Sequence, residues 1–157
     1  MTRAEDQPGH VVAVFGSSGT AGAGAVEACL ADPRVSEVRA VTRRPLALSH
    51  AKLREITCSD FGVLTAITHH LAGVESCLFC LGTSVRNVKG GDEYRTIHVT
   101  YALAAARSLL AQSPEASFLY VSGGGTNRNS RWMWARVKAE AEDRLMRISA
   151  IAITQFG

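Results

Sequence analysis

Short apolar runs rich in β-branched and aromatic residues alternate along this chain with longer stretches rich in alanine and leucine. The runs predict strands at 10–15 (HVVAVF), 35–42 (VSEVRAVT), 52–57 (KLREIT), 75–81 (ESCLFCL), 116–122 (ASFLYVS) and 148–154 (ISAIAIT). The stretches between them predict helices over about 20–31, 61–72, 91–112 and 131–146. Two stops have a local cause. Pro33 disfavours helical geometry at Asp32, and Pro114 stands just before the fifth strand. The link "RRPLALSHA" between the second and third strands is too short for a crossover helix and is expected to be irregular. Strand and helix alternating in this way predict βαβ units on a parallel sheet, the α/β class.

Composition agrees with one ordinary domain. The chain has 157 residues, of which 46% are hydrophobic, and a net charge of +3 spread over 17 basic and 14 acidic side chains, so no polyanion-binding surface is implied. "MTRAEDQPG" at the start has no apolar centre like that of a signal peptide, and no apolar run approaches the roughly 20 residues of a membrane span. A cytoplasmic protein is expected, with a polar tail over 1–9, a folded domain over 10–157 and no membrane partner. Because only "QFG" follows the sixth strand, a C-terminal substrate region is expected to be absent. The pair Cys77 and Cys80 reads CxxC, but residues three apart on a strand point to opposite faces, and no second ligand pair completes a metal site. All four cysteines, Cys29 and Cys58 included, are expected to be buried reduced thiols, and no metal is expected.

Candidate chemistry begins at "VFGSSGTAGAG". Gly16, Gly19 and Gly22 form GxxGxxG where the first strand turns into the first helix. A dinucleotide pyrophosphate needs a tight turn, a close backbone approach and a helix packed on its strand, and glycine allows all three. Amides at the helix start then face the anion, and Ser17, Ser18 and Thr20 add hydroxyls. No GK[ST] follows, which excludes a mononucleotide P-loop. The alternative is a glycine turn needed only for packing. At the end of the second strand stand Arg43 and Arg44 with no acid beside them, an arrangement for the 2′-phosphate of NADP rather than the free ribose of NAD. The placement predicts a Rossmann-type doubly wound sheet with helices on both faces.

Taken in order, "VFGSSGTAG", "VTRRP", "HAKLREI", "SDF", "CLFCLGTS", "YVSGGGT" and "MWARVKAEAE" resemble the atypical short-chain dehydrogenases/reductases over about residues 10–157. The nearer likeness is to bacterial NAD(P)-binding, epimerase/dehydratase-like proteins; Tat-interacting reductase-like proteins and nitrogen-metabolite-repression regulators are more distant. The resemblance implies a dinucleotide cofactor held by Gly16, Ser18, Gly19, Thr20 and Gly22 at the pyrophosphate and by Arg43 and Arg44 at the adenosine phosphate. It implies Asp60 and Phe61 beside adenine, Leu81, Gly82 and Thr83 on the nicotinamide side, and Lys138 on the nicotinamide ribose. Asp60 equally suits a helix N-cap before "FGVLTAI". Ser122 matches the family serine that binds a substrate carbonyl, and Lys138 the lysine of YxxxK. These two are the candidate catalytic residues for a small carbonyl substrate that the sequence does not identify.

The family's tyrosine is missing. Trp134 stands four residues before Lys138, and an indole N–H donates a hydrogen bond without exchanging a proton near neutral pH. No spacing rule selects Tyr94, Tyr101 or Tyr120 as a substitute. An NADP-dependent oxidoreductase or epimerase and a non-catalytic NADP-binding sensor are therefore both carried forward. "NRNSRWMWARVK" mixes basic and aromatic residues, but acids follow at once and an amphipathic helix explains it, so nucleic acid is not the expected partner. His69 and His70 are placed at a helix C-terminus, His98 is read as structural, and the "GGG" of 123–125 as a loop at the sheet's carboxyl edge. The helix over 99–111 leaves a homo-oligomer open.

Overall fold

The computed structural model describes residues 9–148 and 151–156. Strands β1 (His10–Phe15), β2 (Val35–Thr42), β3 (Leu53–Thr57), β4 (Ser76–Phe79), β5 (Ser117–Gly123) and β6 (Ile151–Phe156) form one sheet in the order β3-β2-β1-β4-β5-β6. Every neighbouring pair is parallel. Sequence order reverses between β1 and β4, so the chain leaves those two strands in opposite directions and a crevice opens at their carboxyl ends. This is the Rossmann-type architecture the sequence predicts. The tail expected over 1–9 lies outside the described residues except for Gly9, as do Ser149 and Ala150 of the strand expected at 148–154.

The central strands are apolar on both faces, as parallel strands covered by helices must be. On one face Ala13, Phe15, Phe79, Phe118 and Tyr120 pack with Ala102, Ala106 and Leu109 of α3 (Tyr101–Gln112) and with Ala141 and Leu145 of α4 (Met133–Leu145). On the other, Val12, Val14, Val38 and Ala40 pack with Val26 and Leu30 of α1 (Thr20–Ala31). Helices thus occupy both faces, but α1 serves its face alone among the described helices. Leu78 and Cys80 of the β4 edge and Leu119 and Val121 of β5 are left half-buried beside Ala21 and Gly24.

The helix expected over 61–72 is not formed. Asp60 accepts the Gly62 amide at 2.7 Å and starts a turn, the Thr68 hydroxyl bonds back to the Leu64 carbonyl, and only Thr68–Leu71 closes, as a 3-10 turn. Local side-chain bonds of this kind compete with helix, and β-branched Val63, Thr65 and Ile67 lower its propensity further. His69 and His70 therefore sit in that short turn, not at the end of a full helix. The segment expected as one helix over 91–112 has three parts: α2 (Gly91–Arg95), a π-turn over Thr96–Thr100, and α3.

Only two of the expected buried thiols are fully buried, Cys58 and Cys77, whereas Cys29 and Cys80 are half-buried. Cys77 and Cys80 do face opposite sides of the sheet, one in each core. All four thiols are free, and burial pushes Cys77 up and Cys80 up to about 11. Among the described residues no group of side chains could hold a metal ion, and no helix is long and apolar enough to cross a membrane.

Candidate functional site

Gly16 follows β1 with φ +79°, where a side chain would be strained, and a β-carbon added to it would stand 2.6 Å from the Leu81 amide nitrogen. The turn closes as the Gly19 amide donates to the Gly16 carbonyl at 3.0 Å. Gly19 then occupies the N-cap of α1 in an extended conformation, with no side-chain cap and no acid in the first turn. The first amides of a 12-residue helix and the positive end of its dipole are left facing the crevice. Ser18 and Thr20 are exposed there. Ser17 is not, contrary to expectation: it is buried and donates to the Val14 carbonyl at 2.8 Å, so its hydroxyl fastens the turn from behind.

A crevice of about 150 Å³ runs from Gly16, Ser18 and Gly19 past Thr42 and Arg43 to Leu81 and Gly82. Arg43, Phe61, Leu81 and Gly82 continue into a second hollow of about 400 Å³, lined also by Thr83, Glu93 and Tyr101. Glycines, strand-end arginine and the 81–83 segment are therefore brought together. Thr20, Gly22, Arg44, Asp60, Ser122 and Lys138 are not on these walls. The Arg44 carbonyl accepts from Thr42 Oγ1 at 2.8 Å, and the Asp60 carboxylate is engaged by the Gly62 amide. Among the described residues neither Arg43 nor Arg44 has an ion-pair partner, whereas Arg34, Arg39, Arg95 and Arg128 each have one.

The second corner lies at the carboxyl end of β5. Trp134, Lys138 and Glu142 recur every four residues along α4 and share the face turned to that strand. Ser122 is only 3% exposed, and its Oγ donates to Glu142 Oε1 at 2.5 Å. Thr126 Oγ1 donates to the other carboxylate oxygen at 3.1 Å. Lys138 Nζ lies 3.4 Å from the Val121 carbonyl and 5.5 Å from the centre of the Tyr120 ring. Burial lowers the Lys138 pKa, against the pull of Glu142. The indole of Trp134 lies against the 123–125 loop, within 4.0 Å of where β-carbons on Gly123 and Gly125 would stand. That loop is thus shaped in part by the helix beside it.

The three tyrosines separate. Tyr120 is buried, donates to the His98 carbonyl at 3.2 Å, and is pushed well above the ordinary phenol range by burial. Tyr94 is buried with its ring 4.1 Å from that of His98. Tyr101 is half-buried, lies 5.9 Å from the Phe61 ring and lines the larger hollow. His98 holds the 81–83 wall from within: its Nε2 lies 3.1 Å from the Thr83 carbonyl oxygen and 3.3 Å from the Thr83 amide nitrogen, and its Nδ1 is buried without a hydrogen-bond partner among the described residues. The sequence does not mark Glu142, and it offers Tyr101 only as one of three tyrosines that no spacing rule separates. The spacing of four from Lys138 was the available signal for Glu142; nothing local marked Tyr101. Around the loop before α4, Arg128 pairs with Asp143, Arg131 lies over the Trp132 ring, and Arg136 of α4 donates to the carbonyls of Ser130 and Arg131.

No family model matches the chain. It is 25% identical over 138 residues to the leucinostatins biosynthesis cluster protein T of Purpureocillium lilacinum, a match covering 86% of this chain and 51% of that one. Among solved structures it resembles a short chain dehydrogenase from Burkholderia cenocepacia in complex with NADP (TM-score 0.76, 15% identity, 94% of this chain and 70% of that one). It also resembles a UDP-glucose 4-epimerase (TM-score 0.74, 16% identity, 94% and 50%). A third likeness is to uronate dehydrogenase from Agrobacterium tumefaciens (TM-score 0.68, 16% identity, 86% and 54%). The chain thus has the fold of the short-chain dehydrogenases and epimerases and spans about half the length of the relative it matches in sequence.

Proposed function

We propose that the chain binds a nicotinamide dinucleotide, NADP in preference to NAD, and is an oxidoreductase or epimerase acting on a small carbonyl compound or its alcohol. The observation that carries the reading is the uncapped start of α1, under a turn that only glycine fits, facing the same crevice as an arginine with no ion-pair partner among the described residues. In this reading Gly16, Gly19 and Gly22 bring main-chain amides to the pyrophosphate, with Ser18 and Thr20 beside them. Arg43 takes the 2′-phosphate, with Arg44 adding charge from the rim. Phe61 borders the adenine side, Asp60 shapes the turn that presents it, and Leu81, Gly82 and Thr83 form the opposite wall. The cofactor would supply hydride transfer; the chain's part is to hold it, exclude water and place Ser122 and Lys138 at the reacting end.

A fluorescence titration with NADPH and NADH tests the binding. Tighter NADPH binding, lost in the Arg43→Ala/Arg44→Ala double variant, is expected. Equal affinities before and after that change refute the NADP assignment.

A second reading, a non-catalytic NADP-binding sensor, is favoured by one observation: an indole stands where the family places its proton-exchanging phenol. Turnover of NADPH across a panel of carbonyl compounds separates the two. A wild-type protein already active through another acid sinks the sensor.

A further inference from the structure

Every polar contact of Ser122 found above points away from carbonyl binding. As a carboxylate, Glu142 offers only acceptors, so in the 2.5 Å contact the proton of the bond is the serine's own. The second carboxylate oxygen is likewise engaged by a hydroxyl, that of Thr126, which keeps both oxygens in the accepting role. A hydroxyl has a single proton. With that proton committed, Ser122 has only lone pairs left for a ligand.

We propose that Glu142 turns Ser122 into a hydrogen-bond acceptor, so that the end of β5 takes the hydroxyl of an alcohol in preference to the oxygen of the corresponding carbonyl. The proposal rests on the reading of this corner as the substrate end of the dinucleotide crevice. A carbonyl oxygen has no proton to give and would set its lone pairs against those of Ser122. An alcohol donates and completes a chain from ligand O–H to Ser122 Oγ to Glu142 Oε1. Sites built to bond a ligand hydroxyl reject analogues that lack the matching group, because the buried polar atom is then left without a partner. Glu142 thereby acts through Ser122 as a positioning residue. Lys138, one turn earlier on α4, also lies at this corner, where it faces the Val121 carbonyl and the Tyr120 ring.

The test is a ligand-observed NMR competition on the whole chain between equal concentrations of cyclohexanol and cyclohexanone, with and without NADP. Wild type is expected to retain the alcohol at least about threefold over the ketone. In Glu142→Gln the amide N–H can donate to Ser122 Oγ and release the serine proton toward the ligand, so the ratio should fall about threefold or more. Ser122→Ala should show no preference, and this arm together with the wild-type ratio decides the matter if Glu142→Gln does not fold. A loss of structure alone would lower both signals without moving their ratio. Ketone preference in wild type, retention of neither fragment, or an unchanged ratio in a folded Glu142→Gln overturns the proposal. An NADPH titration on the same samples keeps the readings apart. Absent NADPH binding with the alcohol preference intact sinks only the dinucleotide reading, and NADPH binding with the preference reversed sinks only this one.

Discussion

Gly22 approaches Gly16 so closely that a β-carbon on Gly22 would lie 2.0 Å from the Gly16 carbonyl oxygen. The obstacle is backbone, which cannot rotate away, and the Gly16 carbonyl also accepts from the Gly19 amide. Gly22→Ala is expected to push the turn off the helix start, destabilise the fold by about 1–3 kcal/mol and weaken NADPH binding by at least tenfold. Gly24 has nothing within 4 Å of its would-be β-carbon and sits inside α1, so Gly24→Ala should stabilise the chain by about 0.5–1 kcal/mol. Thermal melts of the two variants, read beside NADPH titrations, check the contrast. Similar losses in both would show that glycine at 22 serves helix packing in general.

Arg43 and Arg44 are adjacent in sequence, yet only Arg43 lines the crevice. A charge-assisted contact to a phosphate contributes about 1.5–3 kcal/mol, which is roughly 10- to 100-fold in affinity. Arg43→Ala is therefore expected to cost NADPH binding on that scale while leaving NADH binding within about threefold. Arg44→Ala should cost no more than about threefold, as expected of a solvated rim charge. Equal effects of the two single variants in calorimetric titrations would contradict the placement.

How far the sequence could be read follows from the range of the interactions concerned. Strand positions and the glycine turn are local matters, governed by side-chain alternation and by permitted φ, and Phe15, Gly16 and Gly22 declared them. The missing helix at 61–72 was hidden because its apolar spacing suits a helix, while Asp60 and Thr68 divert the backbone through bonds that periodicity does not report. The two arginines could not be told apart, because which of them lines the crevice depends on how β2 packs beside Phe61 and Leu81. Ser122 was marked by the family resemblance at the end of the fifth strand. Its tie to Glu142 was not, since the two are 20 positions apart and meet only when α4 packs on β5.

His98 makes stability sensitive to acid. The ring is 2% exposed, and burial, assisted by the charge of Lys138, lowers its pKa to about 4 from an ordinary value near 6.5. The group is thus easier to protonate in the unfolded chain than in the fold. Its contribution is complete above about pH 6.5 and is lost as pH falls toward about 4, with a total on the order of 3 kcal/mol. The residues facing the ring are Tyr94, Thr83 and Gly82, with Lys138 the one permanent charge acting on it. His98→Asn removes the titration and should flatten the dependence of melting temperature on pH between 4 and 6.5, although it lowers stability at pH 7. An unchanged slope would place the acid sensitivity elsewhere.

Under the proposed oxidoreductase reading, Trp134 stands where a proton-exchanging side chain would be needed. Its indole covers the loop at Gly123 and Gly125, and Lys138 follows one turn later on the same face. A phenol at this position would place an exchangeable proton beside a buried lysine, and a positioned acid contributes typically 10²- to 10⁴-fold. Trp134→Tyr is therefore expected to raise carbonyl-dependent NADPH oxidation at least tenfold over wild type while leaving NADPH affinity within about twofold, since the tryptophan lines neither hollow of the crevice. Trp134→Phe, which has a ring but no proton, should show no such rise. If Glu142 holds the serine proton, Trp134→Tyr/Glu142→Gln should exceed Trp134→Tyr alone, because Ser122 is then free to donate to the carbonyl that the phenol protonates. Steady-state rates for the four proteins decide it, and a Tyr variant no faster than the Phe variant would show that the α4 face does not meet the reacting group.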